Sequence, residues 1–289
     1  MFDSHFGFSA PPFQLSPDPS FYFESSGHGR ALAYLKYGVY QREGFIAVTG
    51  EIGSGKTTLV RRLLEGVDAR EIVAAQVVST QLDSYELLRA ICNAFGVPVP
   101  SASKAAVLAT LEAFFAALAA GGRRALLVVD EAQNLGLKEV EELRMLSNFH
   151  AGGQGLVQSF LVGQPELRLM LRSSSMEQLR QRVIASCHLG PLSAPETRSY
   201  VEHRLRHVGW RDFPAFEDEA FAKIHAFTGG IPRRINLLCT RALLACWLTG
   251  RRDIGAGDIS AAAEELADEL GSVEPMATGR LMTGSSRNS

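Results

Sequence analysis

The stretch VTGEIGSGKTTLV, residues 48–60, constrains the fold more than any other part of this 289-residue chain. Gly50, Glu51, Ile52, Gly53, Ser54, Gly55, Lys56 and Thr57 fill the pattern Gly-x-x-x-x-Gly-Lys-Thr, with Thr58 beside them. The pattern works only between a strand and a helix. Its glycines let backbone N–H groups wrap phosphate oxygens, and the helix start adds partial positive charge. The flanks comply: GFIAVTG is a short apolar run bounded by glycines, a buried strand, and residues 56–65 make a helix. Lys56 is expected at the β- and γ-phosphates of a nucleotide, and Thr57 on Mg²⁺.

Around this loop, strands and helices alternate. EIVAAQVVST reads as a second strand, RRALLVVDEAQ as a third and GLVQSFLVGQ as a fourth. Their apolar runs suit parallel strands covered on both faces. Helices are read over residues 29–40 and 105–120, in SYELLRAICNAF with a serine cap, and in LKEVEELRMLSNF. The fold class is α/β: an αβα sandwich around a parallel sheet. Near Gly190 the character changes. SAPE is a capping box opening a helix through His207. AFAKIHAF stops at Gly229-Gly230, Pro232 starts a third helix and Asp258 caps a last one. Four helices without a strand make a small all-helical lid. The expected units are a nucleotide domain over residues 1–190, a lid over 191–270, and a Gly- and Ser-rich disordered tail over 271–289. The nucleotide domain includes an N-terminal segment pinned to a surface by Phe6, Phe8, Phe13, Phe21, Tyr22 and Phe23.

Charge narrows the partners. With 29 Lys and Arg against 31 Asp and Glu, no global basic field advertises nucleic acid. Cys92, Cys187, Cys239 and Cys246 form no C-x-x-C pair, so reduced buried thiols in a reducing compartment are expected. No basic start leads into an apolar run, so no signal peptide is expected. The apolar helix over 105–120 is shorter than the ~20 residues a membrane span needs, and Glu112 interrupts it.

The remaining chemistry gathers at strand ends. Asp130 ends an apolar strand, where it can hold Mg²⁺ through water, and Glu131 can orient and polarise an attacking water. The pair argues for hydrolysis rather than slow switching. Gln164 ends the fourth strand, placed to read a γ-phosphate or that water, or simply to sit in a loop. LRQRV brings Arg180 and Arg182, either a solvated basic face or a finger reaching a neighbouring subunit. GGIPRRIN offers Arg233 and Arg234 at a lid helix start. His203 and His207 have metal-like spacing but no third ligand, and a basic surface helix with Arg204 and Arg206 fits better.

Together, GEIGSGKTT, VVDEAQNL, LVGQPEL, LRQRV and GGIPRRIN resemble the AAA+ ATPases. FGFSAPPFQLSPDPSFYF, ALAYLKYG and GFIAVTGEIGSGKTTL are similar to the secretion branch of general secretion pathway protein A (ExeA) type. VAAQVVSTQLD, EELRMLSNF and RHVGW look most like ATPases of exosortase (PEP-CTERM) exopolysaccharide systems in Gram-negative bacteria. The resemblance implies ATP and Mg²⁺ as cofactors, a Walker A loop from Gly50 to Thr58 and a Walker B pair of Asp130 and Glu131. It further implies Gln164 at sensor 1 (where many relatives carry Asn, Ser or Thr), Arg182 as the preferred trans finger, Arg233 as the sensor 2 arginine, and the aromatic segment beside the adenine.

It also implies a cytoplasmic homo-oligomer, a ring or a nucleotide-dependent assembly, serving secretion or polysaccharide-assembly proteins at the inner membrane. Relatives often continue into a transmembrane helix and a cell-wall domain. Here the sequence stops soon after the lid, so a partner is expected to supply the membrane link. The competing reading is a DNA-associated AAA+ regulator of the transposon target-selection type. A helicase is disfavoured because no second RecA-like domain follows.

Overall fold

A computed structural model describes residues 2–16, 18–79, 81–99 and 103–270. The tail expected over 271–289 lies outside them.

In chain order the elements are α1 (Phe2–Phe6), α2 (Ser26–Gln41), β1 (Phe45–Gly50), α3 (Lys56–Glu65), β2 (Ile72–Val78), α4 (Ser84–Ala94), α5 (Lys104–Ala120) and β3 (Arg124–Asp130). After α6 (Leu137–Leu146), a small hairpin of β4 (His150–Ala151) and β5 (Gln154–Gly155) leads into β6 (Val157–Gly163), α7 (Pro165–Arg172), α8 (Glu177–Arg180) and β7 (Val183–Leu189). The lid comprises α9 (Ala194–His207), β8 (Ala215–Phe216), α10 (Asp218–Thr228), α11 (Pro232–Leu248), β9 (Asp253–Ile254) and α12 (Ala256–Leu270).

Five strands form one sheet in the order β2-β3-β6-β1-β7, and every pairing is parallel. Both faces of the central strands β1, β3 and β6 are covered, and all their residues but Arg124 are buried, as parallel strands between helices should be. Ala125, Leu127 and Val129 point into a core shared with α4–α7, while Leu126 and Val128 join Leu32, Leu35, Leu59 and Leu63 of α2 and α3 on the other face. The αβα sandwich expected from sequence is thereby present.

The fifth strand, β7, went unread. Its residues VIASCHL carry Ser, Cys and His because β7 lies at the sheet edge beside β1, with Ala185 buried and Ile184 exposed. At α4 the cap is Asp83, not the serine: its carboxylate accepts from Tyr85 and Glu86 in a capping box. The SAPE box is present as read, with Ser193 capping α9 and Glu196 answering. The lid is not free of strands, since β8 and β9 pair in parallel over two residues each.

The aromatic segment joins the lid, although the sequence reading grouped it with the nucleotide domain. Phe6, Phe8, Phe13 and Phe21 share a core with Val201, Leu205, Ile235 and Leu243. Arg204, taken from sequence as a surface residue, is 6% exposed. Its guanidinium donates to the carbonyls of Pro12 at 2.6 Å and Gln14 at 3.2 Å and to the Tyr200 hydroxyl at 3.0 Å, and it lies over the Phe21 ring. These contacts hold Pro12, Gln14 and Phe21, a strap across α9.

Candidate functional site

Parallel pairing brings the carboxyl ends of β1, β3 and β6 to one rim. Val129 is level with Leu161, and Thr49 with Gly163. The rim opens into a cleft of ≈ 250 Å³ walled on the other side by the strap and the lid. Lining residues include Gln14, Phe21, Gly53, Lys56, Asp130 and Arg233.

Within the loop, Gly53 (φ 80°) and Gly55 (φ 96°) are left-handed. A Cβ on Gly53 would meet Arg233 Cβ at 2.2 Å, and one on Gly55 would meet His28 Nε2 at 2.8 Å, so both positions exclude a side chain. Lys56 is 9% exposed and folds back over the loop, donating to the carbonyls of Gly50 at 2.8 Å and Glu51 at 2.9 Å. Burial pushes its ammonium pKa down, against the pull of Glu131 and Asp130. Ser54 Oγ is buried without a hydrogen-bond partner among the described residues. A glycine cradle with a cation over it and an unsatisfied hydroxyl inside it fits a polyphosphate.

The acids stand beside the loop. Thr57 Oγ1 approaches Asp130 Oδ2 at 3.4 Å, a pair of hard oxygen donors suited to Mg²⁺. Gln76 donates to the same Asp130 oxygen at 3.2 Å, and Glu131 N–H to Oδ1 at 3.0 Å. Glu131 holds φ 52°, a conformation that costs a non-glycine residue on the order of 1–3 kcal/mol. Two carboxamides hold its Oε2: Gln133 donates at 2.6 Å and Gln164 at 3.2 Å. Gln133 Oε1 in turn accepts the Gln164 backbone N–H at 3.0 Å.

The structure thus brings Lys56, Thr57, Asp130, Glu131 and Gln164 together, and Arg233 joins them from the lid, its backbone N–H on Gly53 O at 3.2 Å. Arg182 stands elsewhere. It precedes β7 at the opposite end of the sheet, roughly 20 Å from its own loop at ~3.3 Å per strand residue. There it donates to Ser147 Oγ at 2.7 Å, while Arg180 is exposed. No group of three or more metal-ligating residues occurs among the described residues. His203 and His207 instead lie against Phe23 and Phe21.

Sequence reasoning missed Gln76, Gln133 and His28. His28, 7% exposed, bonds Ser25 Oγ through Nδ1 at 2.7 Å and Ser54 O through Nε2 at 3.1 Å. The Ser54 carbonyl can only accept, so Nε2 carries a proton; burial depresses the ring's pKa, which favours the neutral ring with Nδ1 accepting from Ser25. Gln133 sat inside the DEAQ motif and was legible there. His28 and Gln76 reach the site from other elements, which no local pattern announces.

Residues 39–171 match a family described as AAA domain. The chain is 42% identical over 269 residues to general secretion pathway protein A of Aeromonas hydrophila, covering 92% of this chain and 49% of that one. It thus spans about half the length of that relative. Among solved structures it resembles the Aeropyrum pernix ORC1 protein in complex with DNA (TM-score 0.68, 17% identity, 91% of this chain and 70% of that one). It also resembles the Aeropyrum pernix ORC2 protein in its ADPNP–ADP complexes (TM-score 0.66, 19% identity, 89% and 72%). At these identities the likeness is one of fold. No helix among the described residues is long and apolar enough to cross a membrane.

Proposed function

We propose, from the match of residues 39–171 to the family described as AAA domain, that this chain is a Mg²⁺-dependent ATPase. It energises or regulates a bacterial secretion system, and specifically one that exports or assembles exopolysaccharide in the exosortase (PEP-CTERM) manner. The observation that carries the hydrolytic reading is Glu131, strained and held by two amides beside the Lys56 loop. The secretion setting rests on similarity to general secretion pathway protein A.

In this reading Lys56 and the loop N–H groups bind the β- and γ-phosphates. Thr57 and Asp130 hold Mg²⁺, which when bound neutralises phosphate charge. Glu131 orients the attacking water and accepts its proton, Gln133 and Gln164 keep that carboxylate in place, and Arg233 answers the nucleotide from the lid. Arg182 lies too far from its own loop to serve it, so its place is at a neighbouring copy's phosphate in a homo-oligomer. The protein works in the cytoplasm, peripheral to the inner membrane through a partner.

The test is ATP turnover by the purified chain. Glu131→Gln should bind ATP and lose turnover, and Lys56→Ala should lose binding. Normal turnover in Glu131→Gln removes Glu131 from its role. The ATP-trapped Glu131→Gln protein should retain secretion or polysaccharide-assembly proteins in a pull-down. Retention of DNA alone sinks the secretion setting.

A further inference from the structure

Glu196 does two jobs at once. Its Oε2 accepts from Ser193 N–H at 3.0 Å and Ser193 Oγ at 2.8 Å, closing the capping box of α9. Its Oε1 reaches out of the lid to the first residue of α2, accepting from Ser26 N–H at 2.9 Å and Ser26 Oγ at 2.7 Å. One carboxylate therefore stands at the N-termini of two helices, the place where negative charge is favoured. These bonds hold its pKa down to about 2, so it is ionised at every working pH.

The first turn of α2 that Glu196 holds also carries His28. That ring spans from the Ser25 cap to the Ser54 carbonyl inside the phosphate loop, and it occupies the space beside Gly55. A continuous path of hydrogen bonds and one helical turn thus runs from lid helix α9 to the loop. It is separate from the direct lid contact, Arg233 N–H to Gly53 O. If the lid swings and Glu196 leaves Ser26, the opening turn of α2 loses an N–H partner and its charge stabilisation. His28 is then no longer held on Ser54.

We propose that Glu196 and His28 are positioning residues for nucleotide binding, joined through Ser26 into a latch between the lid and the phosphate loop. The latch rests on the reading of that loop as a nucleotide site. Its effect falls on affinity: the loop is ordered for phosphate only when α9 is docked on α2.

The experiment uses the full chain with MANT-ATP and Mg²⁺, measuring Kd by titration and KM and kcat by steady-state turnover. Glu196→Gln and His28→Gln should each raise Kd and KM about tenfold, the scale of losing one or two bonds to a charged or buried group, with kcat changed less than about twofold. The double variant should be no weaker than the weaker single one, because both cut one path. Ser193→Ala, which breaks the α9 box but leaves the Ser26 contact, should lower Tm and leave Kd in place. Should either glutamine variant fold poorly, Ser26→Ala serves as the milder cut, with a Kd rise of about threefold. Unchanged Kd in Glu196→Gln, or effects that multiply in the double variant, overturns the latch. A wild-type chain that binds MANT-ATP without hydrolysing it refutes the enzymatic reading alone, since the Kd series still decides the latch.

Discussion

The Gln133 carboxamide donates to Glu131 Oε2 at 2.6 Å, across a turn in which Glu131 holds a left-handed backbone. The strain and the amide together point the carboxylate along one direction, and a general base misplaced by 1 Å loses about 10²-fold in rate. Gln133→Leu should therefore lower kcat by roughly 10- to 100-fold while the KM for ATP stays nearly constant. Steady-state kinetics decides it. A proportional rise in KM would assign Gln133 to nucleotide binding instead.

Arg182 donates to Ser147 at the far end of the sheet from its own loop, so in the proposed assembly its contribution would cross between copies. Arg182→Ala and Glu131→Gln proteins, each inactive alone, should recover turnover when mixed at assembling concentrations. A trans arginine is worth about 10³–10⁵ in rate, so even a minority of restored interfaces is measurable. Mixtures as inactive as their parents would return Arg182 to a structural role.

Arg204 binds two carbonyls of the strap and lies over Phe21. Arg204→Met keeps the apolar stem and abandons those carbonyls, at a cost of about 1–3 kcal/mol for each buried group left unsatisfied. Scanning calorimetry should show a lowered Tm, and limited proteolysis should cut the strap first. Equal protection of the strap in both proteins would contradict the clamp.

His28 gives the stability a pH dependence. Burial holds its folded pKa below the ordinary 6.5, so as pH falls the unfolded chain takes up the proton first. Its contribution is complete above pH 6.5 and declines below it towards the folded pKa. Glu196 acts in a separate window: its folded pKa of about 2 lies below the ordinary 4.5, so its contribution is lost only as pH drops from 4.5 to 2. Urea unfolding between pH 5 and 7.5 should show stability falling with acid, and His28→Gln should flatten that slope. Parallel curves for the two proteins would exclude His28 as the cause.

Much of this was written in local pattern. The loop, the acidic pair, four of the strands and the SAPE box follow from spacing and periodicity, because each is a short-range device. What escaped notice is long-range. The strand β7 lacks an apolar run because only one neighbour covers its edge. Arg204 read as a surface residue because its partners, the carbonyls of Pro12 and Gln14, lie about 190 residues earlier. His28 lies 26 residues from the carbonyl it holds, and no periodicity links a helix start to a loop on another element.

The strap has a consequence for biosynthesis. Phe6, Phe8, Phe13 and Phe21 leave the ribosome long before the helices whose core they complete. The bond from Arg204 to Pro12 closes over 192 positions, roughly 10–40 s of synthesis at about 5–20 residues per second. Through that interval four phenylalanines wait without a partner while the sheet is built behind them. Apolar surface of the strap is thus exposed early in synthesis, and slower translation across the lid would prolong that exposure.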